Sequence, residues 1–228
     1  MKEPVSMIKV LSDVFTQENF SYFMRGLGGT LIIAIVTVLM SVFFGTLLAI
    51  CRNYNKGIIG KTASVYIEVF RNTPLLLWIL ICIFMLHGGN AFLRGTLALI
   101  LYTSSVIAEI MRGGLNSIVK GQFEAARSQG FNFAQTLCLI ILPQCFKRVV
   151  PSLMSQIITT IKDTSFLATF AIAEFFYNAK VLMSSLPQKI TITSAHIFTI
   201  YIFIALVYFV INFSLSCIAR KLSKKTHL

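Results

Sequence analysis

Acidic side chains are the scarcest chemistry in this sequence. Asp and Glu number 8 against 20 Lys and Arg, and charged residues make up 12% of the 228; a soluble globular chain carries about a quarter. An ordinary soluble domain with a single core is thereby excluded. Histidine is nearly absent: His87, His196 and His227 have no spacing suited to a metal or a catalytic triad and are expected to be interfacial or exposed. The five cysteines, Cys51, Cys82, Cys138, Cys145 and Cys217, lack any CxxC spacing. They read as small apolar packing residues, not as a zinc site or a disulfide frame. No phosphate loop is present either. Gly60-Lys61-Thr62 ends like a Walker A motif, but Asn55 stands where its first glycine is required, and an apolar span precedes it instead of a strand. No second nucleotide motif and no internal repeat appears. A cleavable signal peptide is not expected, because the first apolar run begins near Leu27, is too long for an h-region and has no small-residue cleavage site.

What the chain does have is apolar length. Hydrophobic residues make up 56% of it, gathered into five runs long enough to cross a hydrocarbon core, which needs about 20 residues each. They cover 26–50, 62–86 (interrupted by Glu68, Arg71 and Pro74), 91–111, 149–170 with a continuation through Phe175-Phe176-Tyr177, and 192–218. His87-Gly88-Gly89-Asn90 reads as a turn, and a polar stretch runs from Ser184 to Lys189. The pattern predicts an all-α integral membrane protein with about five transmembrane helices. Residues 1–25 form an amphipathic external or interfacial segment, residues 26–219 the transmembrane domain, and 220–228 a basic tail.

The net charge of +12 does not form a patch interleaved with aromatics, so no nucleic-acid partner is expected; the basic residues flank the spans. Placing the loops after spans one and three and the C-terminal tail in the cytoplasm puts 12 of the 20 inside: Arg52, Lys56, Lys61, Arg112, Lys120, Arg127, Lys147, Arg148, Arg220, Lys221, Lys224 and Lys225. Lys2, Lys9, Arg25, Arg94, Lys180 and Lys189, 6 of the 20, fall outside, and Arg71 and Lys162 lie within spans. The positive-inside rule therefore gives an external N-terminus and a cytoplasmic C-terminus.

The organising stretch is GQFEAARSQGFNFAQTLCLIILP, residues 121–143, within a cytoplasmic loop of 115–143. Gln122 to Gln129 predicts a short helix, with Glu124 and Arg127 one turn apart. Gly130 is placed to end it in a left-handed conformation. Asn132 can cap a second short helix with Gln135 as its capping-box partner, and Leu142-Pro143 is expected to break the chain again. Two short helices joined by a sharp bend could dock in a groove of a soluble partner.

Three other segments stand out. Pro74 frees the carbonyl of Phe70, so Arg71-Asn72-Thr73-Pro74 predicts a kink, with Glu68 and Arg71 at a spacing that lets them pair. Glu109 lies one turn from Arg112 and predicts an interfacial ion pair, near Ser104 and Ser105 on the same span. Lys162-Asp163-Thr164-Ser165 puts two charges and two hydroxyls in mid-span, where a charge is costly unless paired or hydrated. Adjacent residues point about 100° apart on a helix, so Lys162 and Asp163 cannot simply neutralise each other.

These segments resemble, in family order, the transmembrane permease subunit of ABC importers of the polar amino-acid (histidine/glutamine permease) type. Glu124-Ala125-Ala126, Gly130, Ile140, Leu142 and Pro143 look like the EAA motif. Arg71-Asn72-Thr73-Pro74 looks like the Arg-(Gly/Asn)-Thr-Pro segment, and Ala108 to Gly114 like the Ala-Glu-Ile-x-Arg-Gly-Gly run, with Val106 where an aromatic is usual. Lys162-Asp163-Thr164-Ser165 matches the Lys-Asp-Thr-Ser run, and Ala173-Glu174 the Ala-Glu pair that follows it. The resemblance covers about residues 26–220. It implies a type I importer fold in the prokaryotic cytoplasmic (inner) membrane, a coupling helix held by a cytoplasmic ABC ATPase dimer, a second permease subunit (the same chain or a relative) and an extracytoplasmic solute-binding protein. No cofactor belongs to this chain; ATP and Mg would be bound by the ATPase. Candidates for the amino-acid path are Asp163, Lys162, Thr164, Ser165, Arg71, Thr73, Ser104 and Ser105; Glu124, Ala125, Ala126, Gly130, Leu142 and Pro143 would serve coupling. The alternatives are a secondary transporter and an intramembrane enzyme using Asp163 with Glu109.

Overall fold

The computed structural model describes residues 6–186 and 192–226, with side chains through Ser223. Lys2, Pro187, Gln188, Lys189 and His227 lie outside the described residues, as do the side chains of Lys224 and Lys225. All the regular structure among the described residues is helical, with no strand among them. A short helix α1 (Met7–Val14) leads into α2 (Gln17–Tyr54), followed by α3 (Ile58–Arg71), α4 (Leu75–Met85), α5 (Ala91–Asn116) and α6 (Gly121–Ser128). The single turn α7 (Phe133–Gln135) passes through a π-helical turn, Thr136–Ile141, into α8 (Leu142–Asp163), and a 3₁₀ segment, Thr164–Phe170, continues it. The chain ends with α9 (Phe175–Ser185) and α10 (Ser194–Thr226).

Four stretches are long and apolar enough to cross a membrane: Gln17–Tyr54, Ala91–Asn116, Phe133–Phe170 and Ser194–Ser223. The pair α3 and α4, bent by 106°, supplies a fifth, broken span. The number of spans agrees with the sequence; several boundaries do not. α2 starts at Gln17, well before residue 26, because the Thr16 hydroxyl caps it by accepting the Asn19 N–H at 3.2 Å. Residues 17–25 thus belong to the first long helix, and only α1 is left as a separate amphipathic piece.

The expected break at Leu142-Pro143 is absent. Proline has no N–H and crowds the carbonyl one turn back, which would break an ordinary helix. Here the preceding turn widens to π geometry, the Leu142 N–H reaching back to the Leu137 carbonyl, so the helix crosses the proline. The second short helix of the sequence reading is therefore the first turn of the fourth span, which begins at Phe133 instead of residue 149.

α2 is the hub because it sorts side-chain size by face. Thr30, Ala34, Thr37, Ser41, Gly45 and Ala49 recur at helical spacing on its buried side, while Leu31, Ile32, Ile35, Leu39 and Phe43 are exposed. In lipid the large residues lose nothing outward, and the small ones admit a neighbouring backbone. α5 uses that opening: the Ser41 hydroxyl donates to the Ile100 carbonyl at 3.2 Å, and a Cβ at Gly45 would lie 2.8 Å from the Ser104 carbonyl. Three apolar clusters follow along the bundle. Val14, Phe23, Phe175 and Ile200 pack at the α1 end, Ile33, Ile79, Leu99 and Leu167 in the middle, and Ala49, Ile107, Met111, Ile141 and Cys145 at the α6 end.

Two minor expectations fail. His196 is buried, its Nδ1 beside the Thr193 hydroxyl at 2.9 Å and its Nε2 3.4 Å from Asp13, and it ties α10 to α1. Cys138 is exposed, so it is not a packing residue; Cys82 and Cys145 are buried, and all five cysteines are free.

Candidate functional site

The EAA-like stretch folds as its local signals require up to Asn132. α6 ends at a left-handed Gly130, φ 81°, whose N–H donates to the Arg127 carbonyl at 3.0 Å. The Phe131 N–H donates to the Ala126 carbonyl at 3.1 Å, which completes a Schellman stop. Asn132 then starts the next helix through a full capping box: its side chain accepts from the Gln135 N–H, and the Gln135 side chain accepts from the Asn132 N–H, both at 2.9 Å. The resulting bend presents Glu124, Ala125 and Arg127 outward and buries Ala126. No ion pair joins Glu124 to Arg127, which leaves both side chains open to a partner. Leu142 is half-buried and Pro143 exposed on the long helix beyond the π turn.

Behind this bend the chain assembles an ion cluster that the sequence only partly foretold. Glu109 and Arg112 pair, with Arg112 Nε donating to Glu109 at 3.0 Å. The expected Glu68–Arg71 pair does not form. Glu68 instead takes Arg52 at 2.6 Å, and Arg71 reaches Glu109 at 3.6 Å. Arg52 also lies 3.4 Å from Glu109. One carboxylate on α5 thus gathers guanidiniums from α2, α3 and α5. The partners come from distant sequence positions, which is why a reading of spacing along one helix misplaced them.

The bend after Arg71 satisfies itself. The Thr73 hydroxyl donates to the Val69 carbonyl at 2.7 Å and accepts from the Trp78 indole N–H at 2.7 Å. Trp78 stacks on Phe70, ring centroids 3.9 Å apart. The Phe70 carbonyl, which Pro74 leaves without its N–H, lies 3.5 Å from the same Thr73 hydroxyl, and Thr73 and Arg71 are both already partnered.

The remaining path candidates separate into two groups. Asp163 closes α8 and is half-buried, Lys162 beside it is exposed, and no ion pair joins them. The Thr164 and Ser165 hydroxyls each turn back to a helix carbonyl at 2.8 Å. Ser104 and Ser105 are elsewhere: Ser105 donates to the Tyr102 carbonyl at 2.6 Å, and Ser104 lines an apolar cavity of about 370 Å³ with Phe44, Leu47 and Tyr66. The structure does not bring Asp163 to Glu109, whose oxygens are taken by Arg52, Arg71 and Arg112.

A buried polar node lies just past the 3₁₀ segment, at the Glu174 that the sequence picked out only as part of an Ala-Glu pair. Glu174 is wholly buried and accepts from the Thr30 hydroxyl at 3.2 Å, the Tyr208 hydroxyl at 3.2 Å and the Tyr177 N–H at 2.6 Å. Thr30 in turn accepts the Phe175 N–H at 3.0 Å. Glu174 caps α9 and binds it to α2 and α10. A buried carboxylate needs such donors, and the polar pair Thr30 and Tyr208 within apolar helices was the available signal.

Residues 41–228 match the family model described as binding-protein-dependent transport system inner membrane component. The chain belongs to that family. It is a membrane component of a transport system, not an enzyme. EAA motifs and coupling helices are typical of such permeases. Among relatives, it is 36% identical over 212 residues to the probable glutamine ABC transporter permease protein GlnP of Bacillus subtilis (strain 168), covering 91% of this chain and 95% of that one. It is 30% identical over 223 residues to the glutamate/aspartate import permease protein GltK of Escherichia coli O6:H1, covering 91% and 95%. The solved structure titled as an amino acid ABC transporter with histidines superposes with a TM-score of 0.80 at 28% identity, covering 98% of this chain and 100% of that one. The inward-facing MetNI methionine ABC transporter has the same fold, with a TM-score of 0.70 at 17% identity over 91% and 99% of the two chains.

Proposed function

We propose that this chain is the transmembrane subunit of an ATP-driven importer that moves a polar amino acid into the cytoplasm. The observation that carries the reading is the bend at Gly130, which offers the outward face of α6 as a docking surface on a family permease. α6 and the C-terminus lie in the cytoplasm and the N-terminus outside, as the distribution of basic residues favours. The partners are a cytoplasmic ABC ATPase dimer, a second permease subunit and an external solute-binding protein. ATP and Mg sit in the ATPase; this chain supplies the path and the coupling surface.

Relatives named for glutamine and for glutamate/aspartate support an amino-acid solute. Asp163, half-buried in the fourth span without an ionic partner among the described residues, suits the α-amino group common to all of them. Lys162 would suit the carboxylate. Co-expression with an ABC ATPase and uptake by reconstituted vesicles test the reading. ATPase co-purification and ATP-dependent uptake of a labelled amino acid are expected. Uptake driven by an ion gradient without ATP would make the chain a secondary transporter instead.

A further inference from the structure

α6 is only eight residues long, too short to hold an orientation alone, so its neighbours set the direction in which its outward face points. One support comes from α8, which also fastens the residue that follows α5 just ahead of α6. Gln144 of α8 donates to Gln122 at 3.2 Å, and Arg148 of α8 donates to the Ser117 carbonyl that ends α5. A second support comes from a helix remote along the chain. Tyr54, the last residue of α2, sets its ring 5.8 Å from Phe123 of α6 and 5.4 Å from Phe133 of α7, the second pair edge-on. Ring pairs at these separations and tilts attract.

We propose that Tyr54 is a positioning residue for coupling: it wedges between α6 and α7 and makes α2 a third helix that follows the movement of the docked loop. The inference rests on α6 being the ATPase-docking helix. Its consequence reaches beyond α6, because Arg52, two residues before Tyr54, holds both Glu68 of α3 and Glu109 of α5. A displacement of α6 against Tyr54 therefore also loads the ion cluster at the broken span. The ring does this work and the hydroxyl is dispensable, since only the ring spans the gap between Phe123 and Phe133.

The test compares amino acid moved per ATP hydrolysed in vesicles carrying the whole complex with its binding protein. Tyr54→Ala is expected to co-purify with the ATPase and still hydrolyse ATP, with the transport ratio lowered about fivefold or more. Tyr54→Phe should keep the natural ratio, a rescue that a general folding defect would not show. An unchanged ratio in Tyr54→Ala overturns the proposal, and so does a Tyr54→Phe as poor as Tyr54→Ala. If Tyr54→Ala fails to accumulate, Phe123→Leu removes the ring contact from the α6 side and is read in the same way. Glu124→Lys in the same vesicles separates the two levels. If it too leaves the ratio intact, the docking reading itself is lost. If it abolishes uptake while Tyr54→Ala leaves the ratio unchanged, only the role of Tyr54 is excluded.

Discussion

The Arg71 guanidinium lies 3.6 Å from the Glu109 carboxylate on α5 instead of beside Glu68, one turn back on its own helix. That choice joins the broken span to the helix that packs against α2, and it makes Glu109 the shared acceptor of three arginines. A shared acceptor is worth more than any one of its donors. Removing it leaves Arg71 and Arg112 without a carboxylate and Arg52 held by Glu68 alone, whereas removing one donor leaves two pairs to Glu109 intact.

Glu109→Gln is accordingly expected to destabilise the purified complex by about 1–3 kcal/mol. Arg71→Ala should cost about 1 kcal/mol or less, since that pair is partly solvated. Thermal unfolding in detergent gives the order of the two. Uptake should survive Arg71→Ala. If uptake vanished while the melting temperature held, Arg71 would belong to the solute path after all.

The broken span has a built-in reporter, because the chain has 1 tryptophan and it sits in the bend. Thr73→Val removes the acceptor of the Trp78 indole N–H and the donor to Val69, an expected cost of about 1–3 kcal/mol. Thr73→Ser keeps both bonds. Tryptophan emission should shift in Thr73→Val and stay put in Thr73→Ser; identical spectra for all three proteins would show that the hydroxyl does not hold the bend.

Legibility in the sequence followed the range of the interaction. The Gly130 stop and the Asn132 capping box were readable because each closes within a few residues, and the turn at His87-Gly88-Gly89-Asn90 belongs to the same class; that Asn90 also caps α5 emerged only from the structure. Apolar length gave the spans for a similar reason: it integrates over a whole helix. Partner choice was not readable. Glu68 and His196 each have plausible local roles, yet they pair with Arg52 and Asp13, residues that only the tertiary fold brings near. Pro143 failed differently, since the π turn that accommodates it is one of two ways to relieve the same clash, and the local sequence permits both. Ser104 shared a span with Glu109, but which face it takes depends on how α5 lies against α2.

Orientation is tested by fusing a reporter that is active only outside the cytoplasm. Activity is expected at Asn90 and Ser184, and none at Asn55 or Gln129. The basic residues near Asn55 and Gln129 motivate the assignment. An active fusion at Gln129 would put α6 on the wrong side of the membrane for any ATPase.

Asp163→Asn keeps the shape of the α8 terminus and deletes one charge from the middle of a long span. With no ionic partner to strand among the described residues, the bundle should assemble normally, while uptake falls through loss of the site for the α-amino group. Normal uptake by a well-expressed Asp163→Asn protein would reduce the residue to packing.

Gly130 gives the sharpest test of coupling, because its surroundings remove the competing explanation. A Cβ built there meets nothing within 4 Å, so the first side-chain atom crowds no neighbour, and the backbone is where a substitution acts first. At φ 81° a β-branched residue is strained by about 1–2 kcal/mol, whereas asparagine tolerates the left-handed region better. The strain in Gly130→Val is relieved by rotating the end of α6, which turns the face carrying Glu124 and Ala125 away from its partner. The spans are untouched, so insertion should be normal. Uptake and solute-stimulated ATP hydrolysis should fall steeply in Gly130→Val and only mildly in Gly130→Asn, with Glu124→Lys, which reverses a charge on the same face, matching Gly130→Val. Equal and full stimulation in all three would mean that the bend merely connects two spans, since neither its direction nor its charge would then matter to the ATPase.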